Sequence, residues 1–432
     1  MKEHEIVVGI DFGTTYSGVS WAIRSQDDYP NPIRVITNWP HPGRPNATND
    51  KVPSVISYKN GIPSQWGYMA ERLDDSCHWF KLRLDKPKNI EEPKHFKIRP
   101  RGLKKTAQDM AADYLRMIWE YTKSDISEQL GNIEWGRTHA LKVILTVPAV
   151  WSATAKSRTL EAARIAGLPA NIVLVPEPEA AALAILRDKD RMEETQKLDD
   201  VFVICDAGGG TVDLITYKVK RLNPLQVGET AEGDGDFCGS VYLDEEFERH
   251  IAEIVQNYEK IQESQRRKML EDFEYSIKRN FTLNSAQSYV VDLKGAADNL
   301  VKGVEGGSIL LKPDTICAIF NKIYERIARL VDKQMEQSIF LVGGFGDNYF
   351  LFDRLVECYS DSGIIILQAD NGWSSVCRGA TMWGLENKTG RTVTSRIARV
   401  SYGVSEDNFK MHWLQKKVTP TFQGHFSHAD EP

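Results

Sequence analysis

The feature that most constrains this chain is a unit of sequence that occurs twice. Residues Ile6 to Trp21 carry an apolar strand that closes on Asp11, a turn Phe12-Gly13-Thr14-Thr15, and a second strand beginning at Tyr16. Residues Val201 to Tyr217 repeat the grammar, with Asp206 at the strand end and Gly208-Gly209-Gly210-Thr211 in the turn. The two units lie far too distant in sequence for a solenoid, whose repeats recur within tens of residues. They predict two copies of one lobe facing each other.

The stretches between and after the units predict alternating strands and helices. Thr106 and Asp109 form a capping-box pattern ahead of an apolar stripe at Met110, Tyr114, Ile118 and Thr122. Leu141 to Val147 reads as a buried strand, and Ser152 as the cap of a helix over 153–166. A strand follows at Ile172 to Val175, and Pro178 opens an alanine-rich helix. The second half predicts helices over 243–258 and 265–281, the latter with Met269, Phe273, Ile277 and Phe281 on one face. A long helix follows from Pro313 to about Met335, then strands at 339–342 and 364–367 and a helix over 375–386. Buried strands alternating with helices specify α/β architecture. The charged stretch 187–200 marks a lobe boundary. The expected organisation is a first lobe over 1–198 with an insertion at about 38–117, a second over 199–388 with an insertion at about 232–312, and a short extension over 389–432.

The turns suggest chemistry. Phosphate needs several N–H donors converging at short range, and glycine lets the backbone approach an anion closely. One such turn is weak evidence. Two, each with a strand-end carboxylate and a following Thr, imply a triphosphate gripped from both sides. Asp11 and Asp206 would be repelled by that anion unless a cation such as Mg²⁺ intervened. Gly343-Gly344 can also take an anion or let a base pass close to the backbone.

These residues resemble the heat shock protein 70 family. Ile10 to Ser17 resembles its first phosphate loop, Val147-Pro148-Ala149 with Ala166-Gly167-Leu168 its first connecting motif, and Asp206 to Asp213 its second phosphate loop. Pro176-Glu177-Pro178-Glu179 is similar to the family's Asn-Glu-Pro-Thr stretch. The resemblance runs from about residue 5 to residue 388. It implies the two-lobed actin-like ATPase fold, with ribonuclease H-like repeats and a nucleotide cleft between the lobes. It also implies ATP and ADP as ligands, with Mg²⁺ held by Asp11 and Asp206, largely through water. Gly13, Thr14, Thr15 and Tyr16 would line the phosphates with Gly208, Gly209 and Gly210. Lys81 would reach the γ-phosphate and the attacking water, Glu177 would lie near that water, and Asp206 and Thr211 would complete the catalytic set. Gly239, Lys278, Arg279, Gly343, Gly344 and Phe345 fall where the family contacts adenosine.

The chain departs from the family around the base. Ser240 follows Gly239 where a second glycine is expected. Tyr275 stands three places before Lys278 where a glutamate is expected, with Glu274 one place off. Phe345-Gly346-Asp347 replaces Ser-Thr-Arg, and Phe345 could stack on the base or belong to the core. Residues 387–432 are too few for the family's substrate domain, a β-sandwich with a helical lid. That ending is similar to the divergent, Trp-rich fungal branch of the family, and Arg399 to Val404 reads as one more strand.

The expected function is a chaperone-related ATPase whose lobes close on ATP. Two alternatives stay open: a nucleotide-sensing module with little turnover, and a sugar kinase of the same superfamily. Partners would be ATP and a protein client or nucleotide-exchange factor. A net charge of −6 argues against nucleic acid, and the basic stretch 86–105 reads as a solvated loop. No apolar run reaches membrane-spanning length. Six scattered cysteines without a CxxC pair fit a reducing, cytoplasmic setting, with Cys205 and Cys377 as core residues.

Overall fold

The computed structural model describes residues 4–24, 32–44, 47–71, 73, 75–85, 102–187, 197–222, 225–334, 338–386 and 391–398. Three sequence readings fall wholly or largely outside them: most of the basic stretch 86–105, most of the lobe boundary 187–200, and the strand expected at 399–404.

Two large sheets carry the described chain. The first contains β1 (His4–Asp11), β2 (Tyr16–Ile23), β3 (Arg34–Val35), β4 (Val52–Pro53), β5 (His139–Val147) and β6 (Val173–Pro176). Its order is β3-β2-β1-β5-β6, with β4 joined to β2. The second contains β7 (Val201–Ala207), β8 (Val212–Leu222), β9 (Leu225–Glu229), β10 (Asp234–Asp236), β11 (Ser338–Val342), β12 (Ile365–Gln368) and β13 (Val393–Ser395). Its path is β12-β11-β7-β8-β9-β13, with β10 on β8. The same crossed order therefore appears twice: a hairpin whose first strand lies antiparallel to the second and parallel to the distant fifth strand of its sheet. This is the duplicated α/β plan that the repeated sequence unit predicts, in the actin-like form that the family resemblance implies.

The near-continuous apolar character of β1 and β7 follows from burial on both faces. Ile6, Val8 and Ile10 pack with helices α1 (Ala107–Leu130) and α2 (Ala153–Ile165). Val203, Cys205 and Ala207 pack with α4 (Ser240–Ile254) and α5 (Pro313–Lys333). The intervening residues Val7, Phe202 and Ile204 join a middle core built on α3 (Glu177–Arg187) and α6 (Ser375–Leu385). Helices α3 and α6 meet so closely that a Cβ on Gly379 would lie 1.6 Å from the Ala180 carbonyl oxygen. Only glycine fits there.

Local signals hold at the helix starts. The Thr106 hydroxyl accepts the Asp109 N–H at 3.1 Å, while the Asp109 carboxylate accepts the Thr106 N–H at 2.9 Å. Ser152 caps α2 through the Ala155 N–H. Two helices differ from expectation. The one expected over 243–258 begins at Ser240, and it ends at Ile254 because Val255 turns extended. The one expected over 265–281 is an α-helix at Glu263–Asp272 followed by a π-helical turn at Phe273–Lys278. Its apolar face is nonetheless buried as read, at Met269, Phe273, Ile277 and Phe281. At the C-terminal end, β13 pairs parallel with β9. Among the described residues, no helix is long and apolar enough to cross a membrane, and all six cysteines are free thiols, with Cys205 and Cys377 buried.

Candidate functional site

Both glycine turns open into one cleft of about 1040 Å³, ample for a nucleotide. The cleft brings together Asp11, Gly13, Thr14, Thr15, Tyr16, Lys81, Glu177, Asp206, Gly208, Gly209, Gly210, Thr211, Lys278, Arg279, Gly343, Gly344 and Phe345. Gly239 lies behind it, donating its N–H to the Gly210 carbonyl, while Ser240 and Val241 donate to Gly208 and Gly209. The second turn is thus stitched to the start of α4.

The two turns touch. A Cβ on Gly209 would lie 2.2 Å from the Thr15 hydroxyl, and one on Gly210 would lie 2.5 Å from the Thr14 hydroxyl. Only bare backbone allows the second turn to come this near the first, and the result is a narrow seat lined with N–H and hydroxyl donors.

Lys81 is delivered by a short helical turn, Phe80–Leu84, launched from Trp79 at φ 49°. Bulky residues avoid that left-handed region, so the neighbouring packing must hold Trp79 there. The Lys81 stem runs beside the rings of Phe12 and Trp151, its ammonium 5.6 and 5.2 Å from their centroids. It is 2% exposed and donates to Glu177 at 2.7 Å. Burial pushes the Glu177 carboxyl up to about 7; Lys81 opposes that shift, and Asp11 and Asp213 add to it.

The carboxylates of the two hairpins differ in their company. Asp11, opposite Gly18 in register, accepts a 2.6 Å bond from Lys51 and a 3.4 Å bond from Thr146. Burial disfavours the Lys51 ammonium, but the charge and hydrogen bond of Asp11 outweigh it and raise the lysine pKa. Asp206 stands opposite Asp213. Burial, then the negative charges of Glu177, Asp11 and Asp213, hold its carboxyl well above the ordinary range. One oxygen of Asp213 accepts the Val150 N–H at 2.9 Å, and the other is buried without a hydrogen-bond partner among the described residues.

These residues fit a divalent cation. Four carboxylates (Asp11, Glu177, Asp206, Asp213) face two ammonium groups. With all four ionised two negative charges would go uncompensated, so the metal-free cleft holds its Asp206 and Glu177 protons tightly, a cation would take their place, and one Asp213 oxygen is orphaned. Among the described residues no three His, Cys, Asp or Glu side chains converge as direct ligands, so such an ion would be held mainly through water.

The expected adenosine end is built differently from the phosphate end. Lys278 is buried and committed to Asp244 at 2.8 and 2.9 Å and to Glu274 at 2.6 Å. Burial lifts the Asp244 carboxyl to about 7, against the pull of Lys278. Arg279 bonds Glu274 at 3.0 Å and lies over the Tyr275 ring at 4.8 Å. The π-helical turn explains how Glu274 serves both cations from one place off: it widens the turn, so residues four and five positions on both lie within reach. Phe345 packs into the core of the second lobe at 5% exposure, which favours the core reading over base stacking.

Several residues in and behind the cleft escaped the sequence reading. Asp213 sat inside the second turn's motif and was legible by its spacing. Lys51, Asp244 and Asp347 carried no local signal. Neither did Trp373, whose ring lies 5.3 Å from Tyr16 and blocks any side chain at Gly344.

The family model described as Hsp70 protein matches residues 86–340. The chain is similar to Heat shock 70 kDa protein 12A of Mus musculus, 24% identical across 92% of this chain and 72% of that protein. Heat shock 70 kDa protein 12B of Homo sapiens is 22% identical across 92% of this chain and 71% of its own length. A Chaperone protein HscA homolog of Polynucleobacter necessarius is 26% identical, across 56% of this chain and 37% of its own length.

Proposed function

This chain belongs to the Hsp70 family, and on that premise we propose that it binds ATP with Mg²⁺ in the cleft and hydrolyses it, as a chaperone-related ATPase. The observation that carries the reading is the buried Lys81–Glu177 pair set beside two touching glycine turns. When bound, Mg²⁺ held through water by Asp11 and Asp206 would neutralise phosphate charge. The turn N–H groups and the Thr14, Thr15 and Thr211 hydroxyls grip phosphate oxygens. Lys81 offsets charge that develops on the transferred group. Glu177, poised near neutrality, orients the attacking water and takes its proton. Asp206 and Asp213 hold the water network on the second side. Lobe closure on ATP, a client protein and an exchange partner belong to the same proposal. So does the division into lobes over 1–198 and 199–388.

A second reading, a sensor that binds nucleotide with little turnover, is favoured by one observation: Lys51 already occupies Asp11. Phosphate release from Mg²⁺-ATP separates the two. The ATPase reading expects slow release by the wild type and at least about 100-fold less from Lys81→Ala and Asp206→Ala. Tight ATP binding with no release would overturn turnover and leave the sensor.

A further inference from the structure

We propose that Lys51 is a resident counter-ion of the phosphate seat, which lets the cleft hold a nucleoside polyphosphate in the absence of a divalent metal. The inference rests on the nucleotide reading above and concerns how that site is regulated by metal.

Position comes first. Strands β2 and β4 pair Ser17 with Val52 and Tyr16 with Pro53, which fixes Lys51 beside the exit of the first glycine turn. Its stem passes over Gly18, where a Cβ would lie 3.2 Å from the lysine Cγ. Its ammonium lies 5.3 Å from the centre of the Trp373 ring and 2.6 Å from Asp11. A side chain confined in this way has lost the freedom that lets an ordinary surface lysine retreat to water.

Energetics come next. A buried lysine–carboxylate pair roughly breaks even against its desolvation cost, so stability is a poor reason for it to exist. The ammonium has three N–H donors. Among the described residues Asp11 is its one hydrogen-bond partner, and Lys51 lines the cleft beside Gly13, Thr14 and Thr15. Two donors therefore remain for phosphate oxygens. In the second hairpin the residue opposite the strand-end carboxylate is another carboxylate, Asp213, so the resident charge sits on the first side alone.

The test is ATP binding by calorimetry, in Mg²⁺ and in excess EDTA, for the full chain and for Lys51→Met and Lys51→Arg. In EDTA the wild type should keep its affinity to within about tenfold, and Lys51→Arg should resemble it. Lys51→Met should lose about 100-fold in EDTA but less than about tenfold in Mg²⁺. If EDTA abolishes binding by the wild type, the proposal is overturned and nucleotide binding stands; that measurement decides even if Lys51→Met does not fold. Equal losses in EDTA by wild type and Lys51→Met overturn it as well. A wild type that binds ATP in neither condition overturns the nucleotide reading, and this proposal with it.

Discussion

The two glycine turns share a backbone plan and differ in charge. Each follows a strand with a buried Asp at or next to its last residue, and each hairpin sets a partner across from that Asp. In the first hairpin the partner is Gly18, and the space it leaves admits Lys51. In the second it is Asp213, which deepens the negative charge. One turn is therefore neutralised from within the chain, and the other waits for a cation from outside. A duplicated fold keeps backbone geometry by topology, while the charge beside each copy is set by one or two side chains.

The sharpest way to break this comparison is to remove each carboxylate in turn. Asp11→Asn leaves Lys51 buried without its counter-charge and should cost about 3–5 kcal/mol. Asp206→Asn relieves repulsion among carboxylates and should raise the melting temperature of the metal-free protein. Thermal melts of both variants in EDTA decide it; equal losses would mean that the two sides are electrostatically alike.

The next effect is steric. Gly209→Ala places a methyl against Thr15 and should cost about 1–3 kcal/mol by overpacking, along with nucleotide affinity. Thr15→Ala should return part of that loss in a double-mutant cycle, read by denaturant unfolding. Strict additivity would show that the turns do not touch in solution.

The smallest effect concerns protons. The native pKa of Glu177, about 7, lies above its ordinary 4.5. Between those values the native state binds more protons than the unfolded state, so the stability of the metal-free protein falls as pH rises across this window. Mg²⁺ affinity should run the opposite way, rising several-fold from pH 6 to pH 8 as protons leave the carboxylates. Titration calorimetry with Mg²⁺ at both pH values checks the sign. Asp206→Asn should flatten the dependence.

Much of the fold was legible because its signals are local. Thr106 and Asp109 are three residues apart, Ser152 and Ala155 likewise, and each glycine turn lies within a single hairpin. The duplicated hairpin then implied the duplicated sheet. What escaped depends on contacts across the chain. Lys51 reaches Asp11 from 40 residues away, and Lys278 reaches Asp244 from 34. The π-helical turn at Phe273–Lys278 was hidden because its apolar spacing is also that of an α-helix. Phe345 had two readings until its burial in the second core favoured one.

The contact between Gly379 and Ala180 carries a mechanical consequence. Backbone meets backbone there, so the joint between α3 and α6 can neither be compressed nor take a side chain. It lies in the middle core between the two sheets, where the proposed lobe closure would use it as a fulcrum. When one sheet rotates against the other, atoms at the fulcrum stay still, and every other atom sweeps an arc that grows with its distance from it. The rims of the cleft would then travel furthest, and under the proposed closure on nucleotide a small twist at this joint would be geared up into the opening and shutting of the mouth.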